Sequence, residues 1–110
     1  MDRRVGALAD QLLLIERELR VRDLWTSIPP DPQALASQVP FCVDTLSFEQ
    51  WLQWIFLPRM KTILERDEAL PTVSGILTMA EVVYQGRPES MAGLLQALET
   101  FDVLISRGEV

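Results

Sequence analysis

The stretch from Ser47 to Arg66 constrains this chain more than any other, because apolar side chains run almost completely round it when it is wound as an α-helix. At about 100° per residue, Trp51, Ile55, Phe48, Leu52, Ile63, Phe56 and Met60 cover one half of the circumference. Trp54, Leu57 and Leu64 fall on the opposite half, beside Gln50, Gln53 and Lys61. A helix with so little polar surface is expected at the centre of its fold, touched by several neighbours. Its start is marked by Ser47 and Gln50, spaced as a capping box, with Leu46 and Trp51 at the positions of the accompanying hydrophobic staple. The charged cluster Glu65-Arg66-Asp67-Glu68 before Pro71 marks its end.

Three further segments carry the steps of three and four that place apolar residues on one helical face. Val5, Leu8, Leu12, Ile15 and Leu19 predict a helix from Arg3 to Asp23. Prolines 29, 30 and 32 cannot continue it, so a long link follows, with one short turn expected at Gln33 to Ser37. Val73, Ile76, Leu77, Ala80, Val83 and Tyr84 form a third stripe closed by Gly86, and Pro88 opens a fourth helix carrying Met91, Leu94, Leu98, Phe101 and Ile105. No strand-like alternation or internal repeat is present. The prediction is one all-α domain over residues 1–110, a four-helix bundle with a central second helix kinked at Pro58. Pro58 cannot donate to the carbonyl of Trp54, so the bend is expected near Trp54. It either wraps the helix round the core or frees an acceptor for a ligand or partner.

Charge and composition exclude several function classes. The 16 acids and 10 bases leave a net charge of −6, which disfavours unaided binding to nucleic acid and suits a basic partner. Residues 1–23 hold Arg3, Arg4, Arg17, Arg20 and Arg22 against Asp2, Asp10, Glu16, Glu18 and Asp23, so the excess acid lies beyond the first helix. The chain has no histidine and a single cysteine. That removes the common Ser-His and Cys-His nucleophile arrangements, the usual zinc sites and any internal disulfide. There is no glycine-rich phosphate loop and no dinucleotide fingerprint. Glu65, Asp67 and Glu68 lack calcium-loop spacing and read as a charged interhelix loop. Asp10, Glu16 and Arg17 interrupt what would have to be a signal-peptide core, and no apolar run reaches the roughly 20 residues of a membrane span. The expectation is a cytoplasmic, non-enzymatic protein with no cofactor, metal, catalytic residue or membrane.

Some residues depart from the simple helical pattern. Arg59 projects into the apolar arc of the second helix, where a guanidinium must be paired or reach water along its stem. Asp102, between Leu95, Leu98 and Met91 on the fourth helix, is the expected structural partner. Glu16 is the second candidate, and Asp44 a less favoured one. Cys42, between Phe41 and Val43, reads as a small packed hydrophobe. Trp54 and Leu57, with Gln50, Gln53 and Lys61, form the expected contact surface for another protein. Two rival readings remain open: a small apolar or acidic ligand held near Pro58 and Arg59, and direct RNA binding through Arg17, Arg20 and Arg22.

The strings Pro40-Phe41-Cys42-Val43-Asp44-Thr45, Trp51-Leu52-Gln53-Trp54 and Leu57-Pro58-Arg59-Met60 fix several uncommon residues at set spacings. In them the chain resembles the YqcC-like family of small bacterial proteins, over nearly its whole length. The resemblance implies a four-helix bundle. The family's gene often lies beside that of a tRNA pseudouridine synthase, so the resemblance also implies an accessory role in RNA modification. An acidic bundle suits docking on a basic RNA-modifying enzyme, and a second copy of the chain is the other expected partner.

Overall fold

The computed structural model describes residues 3–71 and 74–106. Every regular element in it is helical. Helix α1 spans Val5–Val21 and a short α2 spans Pro32–Leu35. A tight turn over Pro40–Cys42 leads to α3, Phe48–Trp51, which runs through a wide turn at Leu52–Phe56 into α4, Leu57–Glu65. Helices α5, Ile76–Val83, and α6, Ala92–Ser106, complete the chain.

Most of the predicted stripe residues are core, while Val83 is exposed at 39% and Val5 and Leu77 are half-buried. Leu8, Leu12, Ile15 and Leu19 of α1 pack in one cluster with Leu52, Leu57, Ile76, Ala80, Leu94, Leu98 and Phe101. Helix α1 lies against α6 and α4, and α5 against α6. Val73 lies outside the described residues. The fourth helix begins at Ala92, later than Pro88 would have it, because residues 88–91 form a separate turn in which Ser90 Oγ donates to the Arg87 carbonyl at 3.1 Å.

The helix from 48 to 65 is continuous, and the effect of Pro58 takes the form of a widened turn around Trp54. Residues Leu52–Phe56 form a π turn in which the Leu57 amide donates to the Leu52 carbonyl, five residues back. A proline that cannot donate to Trp54 is absorbed by widening the turn before it. The consequence for side chains is large. On a regular α-helix Leu57 would sit about 140° round from Leu52. Across a five-residue hydrogen bond the two stack more nearly over one another, and both are buried, at 0% and 1% exposure.

Polar groups close the helix ends. Ser47 Oγ accepts from the Gln50 amide at 3.2 Å and Gln50 Oε1 accepts from the Ser47 amide at 2.9 Å, the predicted capping box. Helix α5 starts after Gly75, whose φ of 70° is left-handed and which has no side chain to cap with. Its cap comes from α6 instead: Asp102 accepts from the Leu77 amide at 2.8 Å and the Ile76 amide at 3.4 Å. Arg4 in turn donates to the carbonyls of Leu104 and Ile105 at the end of α6, at 2.8 and 2.9 Å. A carboxylate at a helix start and a guanidinium at a helix end both complement the backbone dipoles there.

Candidate functional site

The strings Pro40 to Thr45, Trp51 to Trp54 and Leu57 to Met60 contribute to one place. The loop before α3 is folded back on itself by its own side chains. Thr45 Oγ1 donates to the Ala34 carbonyl at 2.8 Å, and Ser37 Oγ donates to Asp44 Oδ1 at 2.6 Å while accepting from the Val39 amide at 3.1 Å. Inside this closed loop Phe41 and Cys42 both adopt left-handed backbone conformations, with φ of 58° and 50°. Such geometry in non-glycine residues costs roughly 1–3 kcal/mol each and persists where the surroundings impose it. Its effect is to press the Phe41 ring edge-on against Trp51, with centroids 4.8 Å apart. Trp51 is itself stacked with Phe48 and Phe56.

Between this loop and the 48–65 helix lies an open groove of about 410 Å³. Its walls include Phe41, Trp51, Ile55, Arg59, Met60 and Ile63, and Cys42, buried as the sequence predicts, also lines it. Arg59 is exposed on the wall. Among the described residues no Asp or Glu lines the groove.

The expected ion pair is not formed. Asp102 caps α5, and Glu16 is shared by Arg20 Nε at 3.0 Å and Lys61 Nζ at 3.6 Å. Asp44 is held by Ser37. Among the described residues Arg59 has no carboxylate within ion-pair distance. Exposure is the physical reason: its guanidinium reaches water from the groove wall and needs no buried counter-charge.

The expected contact surface also comes apart. Leu57 is core, turned inward by the π turn. Gln53, 6% exposed, is a buried clamp: its Nε2 donates to the Thr26 carbonyl at 2.6 Å and its Oε1 accepts from the Thr26 amide at 3.0 Å, tying the link after α1 to the central helix. Gln50 is spent on the capping box and Lys61 lies beside Glu16. Trp54 is half-buried, and its Nε1 is a buried donor with no hydrogen-bond partner among the described residues. Trp51, packed against the core cluster, and the half-buried Ile55 also line the groove.

The basic strip on α1 is likewise divided. Arg20 pairs with Glu16 and lies 4.5 Å over the Trp25 ring. Arg22 pairs with Glu18 at 3.0 Å and donates to the Ser90 carbonyl at 3.1 Å. This pair covers Gly93, where an added Cβ would collide with the Glu18 carboxylate. Arg17 stays exposed without such ties.

Two further polar contacts, besides that of Gln53 with Thr26, escaped sequence reasoning. Gln11 Nε2 donates to the Ala97 carbonyl at 2.8 Å, and Tyr84, 1% exposed, donates its hydroxyl proton to Glu49 Oε1 at 2.7 Å. Burial, reinforced by the carboxylate it bonds, drives the Tyr84 hydroxyl well above the ordinary tyrosine pKa. Gln11 was detectable as a polar residue beside Leu12 and Ile15 on the buried face of α1; the Tyr84 partner was not.

The family model described as "tRNA pseudouridine synthase C" matches residues 7–104. The chain belongs to the YqcC-like family. It is 31% identical over 96 residues to the uncharacterised protein YqcC of Escherichia coli, covering 87% of this chain and 88% of that one. The solution NMR structure of E. coli YqcC is similar to the present fold, with a TM-score of 0.82 at 30% identity, covering 93% of this chain and 87% of that one. The chain is also 44% identical over 68 residues, 62% of its length, to a Pectobacterium carotovorum protein named tRNA pseudouridine synthase C. It is 45% identical over 62 residues, 56% of its length, to an uncharacterised protein of Haemophilus influenzae. These stretches span 18% of the Pectobacterium protein and 56% of the Haemophilus one. For the YqcC-like family the groove supplies a physical account of the motif strings in this member. Asp44 and Thr45 close the loop, Phe41 and Trp51 form the aromatic wall, Pro58 goes with the π turn, and Arg59 and Met60 continue the wall. No described helix is long and apolar enough to cross a membrane.

Proposed function

We propose that this protein is a non-enzymatic accessory protein that docks on an enzyme of the tRNA pseudouridine synthase class. The observation that carries the proposal is the Pectobacterium relative: a stretch similar to this chain forms a minor part of a longer protein that bears that name. A covalent link between two partners makes their docking intramolecular, at an effective concentration in the millimolar range for short flexible linkers. Such a fusion is useful when the two parts act together. The net charge of −6 supports a partner whose own surface is basic enough to hold tRNA, since complementary fields speed encounter and fix orientation. The docking face in this proposal is the acidic exterior of the bundle. Capture of the cell's tRNA pseudouridine synthase on the tagged protein, at native expression level and low ionic strength, is the test. Capture that weakens as salt rises supports the proposal, and no enzyme captured even at low salt refutes it.

A second reading is favoured by a separate observation, the 410 Å³ groove with Arg59 on its wall. Its volume falls in the range of small-molecule sites, and an apolar, aromatic lining with a few polar groups, here Arg59, Ser37 and Ser74, is the pattern such sites share. In this reading the bundle holds a small ligand beside the π turn.

A further inference from the structure

The wall of the groove differs in charge from the rest of the molecule. The chain has more acids than bases, 16 against 10, yet among the described residues no acid lines the groove and Arg59 is the one cation there. Of the other cations near the central helix, Lys61 and Arg20 meet Glu16 and Arg22 meets Glu18, while Arg66 lies at the C-terminal end of α4, outside the groove lining. Asp44, in the loop that forms one wall, directs its Oδ1 to Ser37 Oγ, and that hydroxyl is doubly used because it also accepts from Val39. A guanidinium left without a carboxylate beside an apolar concavity is electrostatically incomplete. Its planar fork matches a carboxylate in two parallel hydrogen bonds, a match that neither an alcohol nor an amine can make.

We infer that the groove binds an amphipathic carboxylate, with an alkyl or aryl body lying on Phe41, Trp51, Ile55 and Ile63 and a single carboxylate paired with Arg59. The inference rests on the ligand-binding reading above and gives that site its chemical class. Apolar burial supplies most of the affinity and Arg59 supplies the sign discrimination. An ammonium head group is repelled at the position where a carboxylate is held, and a neutral alcohol gains the burial alone.

The experiment is calorimetric titration of the full chain with decanoate, decanol and decyltrimethylammonium, each below its aggregation threshold. Decanoate is expected to bind one to one, at least tenfold more tightly than decanol and far more tightly than the ammonium. Arg59→Met should weaken decanoate about tenfold and leave decanol unchanged, Arg59→Lys should fall between, and raising salt should weaken decanoate only. Arg59 is exposed, so both variants should keep the wild-type helical signal. Ile55→Trp, which fills the groove, should reduce decanoate and decanol together. Equal binding of decanoate and decanol, or unchanged decanoate binding in Arg59→Met, overturns the carboxylate assignment while leaving a ligand site standing. Absence of binding by all three probes overturns the site and the assignment together. Capture of the synthase, scored on the same preparations, reports separately on the accessory role.

Discussion

Removing the Asp102 carboxylate tests how the last two helices are joined. Helix α5 has eight residues and begins at a glycine with no side chain to cap it, so its first amides depend on Asp102 from α6. The bond to the Leu77 amide is short at 2.8 Å, and that to Ile76 is long at 3.4 Å. Losing an N-cap acceptor costs about 0.5–2 kcal/mol, and losing the negative charge at a helix start a further 0.3–1 kcal/mol at a part-exposed site. Asp102→Ala should therefore destabilise by about 2 kcal/mol. Asp102→Asn, which keeps an acceptor oxygen and loses the charge, should cost about 1 kcal/mol. Arg59→Met, at an exposed position without an ion pair, should stay within about 0.5 kcal/mol of wild type. Urea unfolding followed by circular dichroism at neutral pH gives each value, and the double variant Asp102→Ala with Arg59→Met should be additive. If Arg59→Met costs as much as Asp102→Ala, or the double variant shows coupling above about 1 kcal/mol, Asp102 is acting as the counter-charge of Arg59 and the capping argument is wrong.

Other sites give sharper contrasts with the pattern read from the sequence. Leu57→Ala should cost about 2–5 kcal/mol in the same assay, because Leu57 is a core residue; a loss below 1 kcal/mol would return it to the surface. Gln53→Leu keeps the shape of the side chain but removes both bonds to Thr26, for a loss of about 2 kcal/mol, and amide exchange at Thr26 should accelerate with it. Tyr84 is the only tyrosine, so tyrosinate absorbance reports on it alone. Its pKa is higher folded than unfolded, so its contribution is complete below about pH 10, the ordinary tyrosine value, and is lost as pH rises beyond it. Tyrosinate should therefore appear only with loss of helical signal, and Tyr84→Phe should flatten the alkaline fall in stability. Tyrosinate forming in the still-folded protein near pH 10 would contradict the burial argument.

What could be read from the sequence follows from which signals are local. The capping box needs only Ser47 and Gln50, three residues apart, and it is present. The stripes of α1 and α6 need only a regular period, and Leu8, Leu12, Ile15, Leu94, Leu98 and Phe101 are all buried. Asp102 was recognised as a carboxylate in an unusual place, but its partners are two backbone amides, which carry no label in a sequence. The same holds for Gln53 with Thr26 and Gln11 with Ala97. The charge of Arg59 suggested a buried pair because the helical wheel placed it inside the apolar arc, whereas the structure opens that arc into a groove wall.

The wheel failed at one point, and that point produced the error at Leu57. A projection at about 100° per residue assumes an unbroken α-helix, and a π turn violates it by one residue. Upstream of Leu52 the projection places Phe48 and Leu52 correctly; at Leu57 it is off by enough to turn a buried side chain outward. The proposed Trp54 and Leu57 contact face was a product of that slip. The residue that caused it was visible all along, because Pro58 marks where a helical hydrogen bond cannot form. Proline inside an otherwise strong helical pattern should therefore be read as a possible change of register as well as a bend, with the wheel restarted after it. Restarting at Leu57 aligns it with Leu52, as the hydrogen bond from the Leu57 amide to the Leu52 carbonyl requires, and leaves the 51–55–59–63 side of the helix as the wall of the groove.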